Sequence, residues 1–175
     1  MGAPPVGPTI IPPVRTLWLR DRALDLDRVR LLGVLNLTPD SFSDGGRYLD
    51  PERALERARE MVAEGADILD LGAESTRPGA APVPVEEEKR RLLPVLEAVL
   101  SLGVPVSVDT RKPEVAEEAL KLGAHLLNDV TGLRDERMVA LAARHGVAAV
   151  VMHMPVPDPA TMMAHARYRD AVAEA

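Results

Sequence analysis

Residues 113–130, PEVAEEALKLGAHLLNDV, hold one complete unit of structure: a helix, a stop and a strand. Pro113 stands where proline is tolerated, in a first helical turn, because the N–H it lacks would have no intrahelical partner there. Gly123 follows the last helical residue, Leu122, at the left-handed position that favours glycine. Leu126–Val130 then reads as a short, mostly apolar strand buried on both faces. The same order recurs on either side. Helical patterns over Pro51–Glu64, Val85–Leu102 and Arg134–His145 end at Gly65, Gly103 and Gly146. Each glycine is followed by Ala or Val and a strand, at Asp67–Leu71, Val104–Val108 and Ala148–Met152, while Val29–Leu35 supplies a first strand upstream. Helix, glycine and strand in repetition predict right-handed βα units on a parallel sheet.

Two architectures share that pattern, the open doubly wound sheet and the (β/α)₈ barrel. Length by itself favours the open sheet, because the chain has 175 residues and a full barrel typically needs about 250. The polar residues favour the barrel. Asn36, Asp70, Glu74, Asp109, Asn128 and His153 stand at or just after the C-terminal ends of strands, and a barrel draws its site from every strand. No GxGxxG or GxxxxGK[ST] follows the first strand, which argues against dinucleotide and P-loop sites. The expectation is an α/β (β/α)₈ TIM barrel of which about the first five βα units are present.

Composition narrows the chemistry. The net charge of −6 gives no general attraction for nucleic acid, and no basic run or aromatic-basic face opposes that reading. An anionic ligand therefore needs local cations or a metal. Cysteine is absent, which removes disulfides, thiolate catalysis and zinc-thiolate sites. No apolar run approaches the ~20 residues of a membrane span, and MGAPPVGPTIIPPV lacks the charged and apolar regions of a signal peptide. A soluble cytoplasmic protein is expected. Residues 1–14 read as a Pro-rich leader and 15–175 as the barrel domain, entered by a short hairpin around Arg20–Arg22. Glutamine is absent, and Asn36 and Asn128 are the only asparagines. Two amides in so amide-poor a chain are candidates for tasks that Asp, Ser or Thr cannot perform.

Three segments are too polar for their buried neighbourhoods. NLTPDSFSDGG, residues 36–46, carries the only phenylalanine, Phe42, among turn formers. A mobile lid closing Phe42 over an apolar ring fits it better than an ordinary connection with a stray aromatic. ESTRPGAAPVP, residues 74–84, offers the Thr76 hydroxyl and the planar Arg77 fork, suited to phosphate or carboxylate. A Pro-rich loop whose arginine merely solvates is the alternative. SVDTR (107–111) and NDVTG (128–132) end neighbouring strands, if strands follow chain order, so Asp109 and Asn128 can converge. A carboxylate and an amide together can read a heterocycle with adjacent N–H, amino and acceptor atoms. Asp129 has an equal claim to a capping or core role.

GVLNLTPDSFSDGG, LGAESTRPGA, SVDTRKPEVAEEAL and GAHLLNDVTG, with VVMHMPVPDPATM, resemble the successive signatures of dihydropteroate synthase, from roughly Val29 to the end. The resemblance implies folate biosynthesis: 6-hydroxymethyl-7,8-dihydropterin diphosphate and 4-aminobenzoate give 7,8-dihydropteroate and diphosphate. By the same resemblance, Asn36 ligates Mg²⁺ with the diphosphate oxygens, and Thr76 contacts the pterin diphosphate beside its loop neighbour Arg77. Asp109 and Asn128 bond the pterin ring, Met152 walls it, and Phe42 helps shape the aminobenzoate pocket. Asp109, Asn128 and Arg77 are the catalytic candidates. Sulfonamide sensitivity would follow, a homodimer stays open, and neither nucleic acid nor membrane is a partner. The family's Asp, Lys and Arg-containing stretch on the last three strands have no counterparts, so a fragment of a longer enzyme is expected. A non-catalytic pterin-binding fragment is the alternative from another class. A pterin-dependent methyltransferase domain would share the SVDT and NDV pair without needing the first two loops.

The remaining polar residues read as structural. His145 ends a helix, where the dipole favours a cation. His125 lies before strand four, toward the non-catalytic end, and His165 is surface-like. His153 adjoins the mouth. Glu86–Arg91 reads as a solvated helix face of paired charges.

Overall fold

The computed structural model describes residues 15–38, 50–75 and 80–153. Strands β1 (Thr16–Leu19) and β2 (Arg22–Asp25) form an antiparallel hairpin. Five further strands, β3 (Leu32–Asn36), β4 (Ile68–Gly72), β5 (Val106–Asp109), β6 (Leu126–Asp129) and β7 (Ala148–Val151), pair parallel in chain order. Helices α1 (Pro51–Ala63), α2 (Val85–Leu100), α3 (Pro113–Leu122) and α4 (Glu136–His145) connect them. No strand reverses the order, as it would about the first strand of an open doubly wound sheet. The arrangement is that of consecutive strands in a (β/α)₈ wall.

Helix ends follow local chemistry. Asp50 accepts from the backbone N–H groups of Glu52 and Arg53 at the start of α1, and Asp135 from that of Arg137 at the start of α4. Gly123 and Gly146 take left-handed φ values of 119° and 62° at the ends of α3 and α4. Element bounds shift slightly from expectation. The first strand starts at Leu32 rather than Val29. Arg28, Arg30 and the Leu31 N–H all donate to the Asp67 carboxylate. Asp67 thus precedes β4 instead of opening it.

Side-chain alternation along the strands sorts the wall into two faces. Leu35, Leu71, Val108 and Leu127 point to the helices and form the core with Leu92, Val95, Leu96, Val115, Ala119 and Leu120. The other face carries, in register, the row Val34, Asp70, Ser107, Leu126, Ala148 and above it Asn36, Gly72, Asp109, Asn128, Val150. The hairpin plugs this inner face at its N-terminal end. Leu19, fully buried, packs on Ile68 and Leu126, the first residues of their strands. Arg20 donates to the carbonyls of Leu120 and Ala124, at the end of α3. His125 belongs to this end, as expected: it is buried, and its Nδ1 accepts from the Val106 N–H at 3.2 Å. Burial and the nearby Arg22 cation hold its pKa below the usual histidine value.

One close approach joins the β6–α4 turn to the residue just after β7. Gly132 has φ +73°, and a Cβ there would stand 2.7 Å from the Met152 carbonyl oxygen. Gly132→Ala is therefore expected to cost about 1–3 kcal/mol, from left-handed strain together with the backbone clash. Urea unfolding checks this. A midpoint equal to that of the wild type, at equal slope, would mean that the β6–α4 turn yields freely.

Candidate functional site

The C-terminal edge of the wall gathers three of the expected polar residues, Asn36, Asp109 and Asn128, into one row. Asn36 is paired in register with Gly72, Gly72 with Asp109, and Asp109 with Asn128. Asp109 and Asn128 are thus side by side, one strand spacing apart. Asn36 stands two spacings from Asp109, roughly 9–10 Å. Gly72 keeps the gap between them open: a Cβ there would already touch Asp109 Cβ and Oδ2, each at 3.5 Å. One row below, Asp70 is buried, and its Oδ2 accepts from Asn128 Nδ2 at 3.0 Å. Burial raises the Asp109 carboxyl, and the like charges of Asp70, Glu88, Asp129 and Glu74 raise it further, to about 7. The mouth therefore presents a carboxyl poised between its two protonation states beside an amide held from below. That pair suits a neutral ligand edge rich in N–H groups.

A buried ion network braces the rim. Glu74, in the loop after β4, accepts from Arg111 Nη2 at 3.0 Å, from Lys112 Nζ and from the backbone N–H of Val83. Lys112 also donates to Glu88, which lies fully buried in α2 and accepts from Thr110 Oγ1 at 2.6 Å. Burial pushes the Glu74 carboxyl up, but the Arg111 and Lys112 hydrogen bonds outweigh it and hold the carboxyl below its usual range. Glu74 with Glu88, and Arg111 with Lys112, balance in charge. This corrects the reading of Glu86–Arg91 as a wholly solvated face. Glu86 pairs with Lys89, and Glu87 with Arg90 and Arg91, as expected, but Glu88 turns inward. A signal was present: Glu88 falls at the spacing of Leu92, Val95, Leu96 and Val99, the buried stripe of α2. Lys112 and Arg111 carried no comparable mark.

The other residues divide plainly. Asp129 is structural: its carboxylate accepts from the Thr131 N–H and hydroxyl and from the Leu133 N–H, fastening the turn before α4. Met152 follows β7 and is half-buried, while Asn36 is exposed at the rim. Thr76, Arg77, Phe42 and His165 lie outside the described residues, as does most of the loop expected to move, from 39 to 46. Among the described residues, no group of three or more His, Cys, Asp or Glu could hold a metal. One donor this edge offers a hard cation is the exposed Asn36 amide oxygen. That fits a Mg²⁺ taking its remaining ligands from diphosphate and water. No described helix is long and apolar enough to cross a membrane.

Comparison with known proteins agrees with the fold. The chain is 45% identical over 159 residues to dihydropteroate synthase of Escherichia coli K12, covering 90% of the chain and 56% of that relative. Among solved structures it resembles dihydropteroate synthase from Thermus thermophilus in complex with 4-aminobenzoate, at 89% identity and a TM-score of 0.78. That match covers 91% of the chain and 56% of the other. The complex of the Thermus enzyme with 6HMPPP matches at 85% identity and a TM-score of 0.76, over 92% and 55% of the two chains. The chain thus spans about half the length of these relatives. Residues 32–175 fit the pterin binding enzyme family. Because that fit starts at Leu32, the first residue of β3, and takes in every strand of the wall, the chain belongs to the pterin binding enzyme family.

Proposed function

We propose that the chain carries the pterin-recognising part of a dihydropteroate synthase, acting in cytoplasmic folate biosynthesis within a polypeptide of the relatives' length. The reaction joins 6-hydroxymethyl-7,8-dihydropterin diphosphate to 4-aminobenzoate and releases diphosphate. The observation that carries this reading is the register pairing of Asp109 with Asn128 at the wall's C-terminal edge. In it, the Asp109 carboxylate accepts from neighbouring N–H groups of the pterin, and Asn128 meets the adjoining ring edge. Met152 contributes an apolar wall. Thr76 and Arg77 are assigned to the diphosphate and Phe42 to the aminobenzoate pocket. The pterin ring delocalises positive charge as diphosphate leaves and the aniline nitrogen attacks the methylene carbon. Mg²⁺, when held by Asn36 and the substrate, would neutralise charge on the departing diphosphate.

The test is product formation from both substrates by this chain and by a protein of the relatives' length. Diphosphate release requiring both substrates supports the reading. Tight dihydropterin binding without turnover in the longer protein would reduce it to a binding module, and absence of pterin binding would overturn it. Asn36→Ala separates the metal assignment from a loop-holding role. Mg²⁺-dependent binding of the diphosphate substrate should weaken roughly tenfold or more, as is typical when a metal's surroundings are damaged. A pterin lacking diphosphate should bind nearly as before. Calorimetry with both ligands reads the difference, and equal losses would assign Asn36 to the loop.

A further inference from the structure

We propose that Asp70 is the positioning residue of this site: its carboxylate holds the Asn128 amide with nitrogen inward and oxygen toward the mouth, and so decides which groups a ligand must offer. The ligand's identity rests on the proposed function above; the contact itself does not. An amide has two faces of nearly equal shape and opposite hydrogen-bonding sense, so an asparagine at a binding site needs something to choose between them. Asp70 makes that choice. A carboxylate only accepts, so the Asn128 atom 3.0 Å from Asp70 Oδ2 has to be nitrogen. The reversed amide would press oxygen against carboxylate oxygen at a position only 3% exposed, where the repulsion is poorly screened. Among the described residues, the Asp70 contact is the hydrogen bond made by the Asn128 side chain.

The layers of the wall produce this arrangement. Asp70 lies in the row beneath Asn128, on the same inner face and one strand removed across β5. Gripping the amide from below leaves Oδ1 directed to the open end. Next to it, Asp109 presents carboxylate oxygens. Two adjacent acceptor groups therefore face the ligand, which must bring adjacent donors, such as a ring N–H beside an exocyclic amino group. With the amide reversed, an NH₂ group would meet those same donors.

Two variants and one spectrum test the assignment. Asp70→Asn keeps an oxygen able to accept from Asn128, whereas Asp70→Ala removes it. In a protein of the relatives' length at pH 8, Asp70→Ala should bind 6-hydroxymethyl-7,8-dihydropterin diphosphate at least roughly tenfold more weakly, and Asp70→Asn should restore the affinity to within about threefold. Alanine binding as well as wild type, or asparagine binding as poorly as alanine, would overturn the proposal. The spectrum reads the contact without any ligand. With no glutamine and two asparagines, the 175-residue chain shows two side-chain amide pairs in a ¹⁵N-resolved proton spectrum. The Asn128 pair should exchange slowly with water in the wild type and quickly in Asp70→Ala; fast exchange in the wild type would also overturn the assignment. If the wild type binds no dihydropterin, the proposed function fails, while amide exchange still decides the role of Asp70. Should the alanine variant not fold, the wild-type spectrum and the asparagine variant are decisive.

Discussion

Asp109→Asn, in an enzyme of the relatives' length, is expected to bind dihydropterin diphosphate roughly tenfold to several-hundredfold more weakly than the wild type. The exchange keeps size and shape but replaces one acceptor by an NH₂ that faces a ligand N–H. Hydrogen bonds to a charged group contribute roughly 1.5–3 kcal/mol each, and an unmatched buried donor adds a penalty. Aminobenzoate recognition should change only indirectly, through the lost pterin platform. Titration of the pterin into wild type and variant decides it; near-normal affinity would make Asp109 part of the scaffold. The pH profile provides a second reading. Ligand N–H groups need the unprotonated carboxylate, so wild-type affinity should climb as pH rises toward about 7 and level off above it. The variant should lack that climb.

The same substitution should stabilise the chain while it damages binding. Burial and the surrounding carboxylates raise Asp109 from an ordinary 3.8 to about 7, so the folded chain holds a proton that the unfolded chain has released between those limits. Below about pH 4 both states carry the proton, and wild type and variant are expected to unfold alike. As pH rises through 7 the wild type loses stability that the neutral variant keeps. Above that point the difference is complete, at roughly 2–4 kcal/mol after allowing for solvent at the open mouth. Thermal unfolding of the 175-residue chain at pH 4 and pH 8 checks the sign. A variant less stable than wild type at pH 8 would show that Asp109 is already well paired in the folded chain.

Lys112→Ala should cause the largest loss of stability, about 3–5 kcal/mol. Lys112 lies between Glu74 and Glu88, whose side chains are 8% and 0% exposed. Removing the cation leaves Glu88 buried with its Thr110 hydrogen bond and no neutralising charge. The second substitution Glu88→Gln, added to Lys112→Ala, should recover much of the loss, because the uncompensated charge and not the missing packing dominates. Urea unfolding of the single and double variants makes the comparison. A loss below about 1 kcal/mol for Lys112→Ala would mean that water reaches Glu88, as at an exposed pair.

The repeating unit was legible because helix stops and strand runs are short-range properties. A proline in the first turn, a glycine at the left-handed end and an apolar run each act within a few residues, so residues 113–130 announced α3, Gly123 and β6 almost to the residue. Asp109 and Asn128 were legible as well, since polar residues ending apolar strands stand out locally. What the tertiary structure alone decided is which distant charges meet. Thr110 reaches Glu88 across 22 residues, Lys112 reaches it across 24, and Asn128 finds Asp70 across 58. Nothing near Asp129 told a turn-fastening carboxylate from one aimed at a ligand, and only the direction of its hydrogen bonds separates them. Backbone preference is written residue by residue, whereas electrostatic energy depends on separation and burial in space. The chain order therefore carried the wall and its polar C-terminal edge, and folding decided which carboxyl is neutralised by a cation and which fastens a turn.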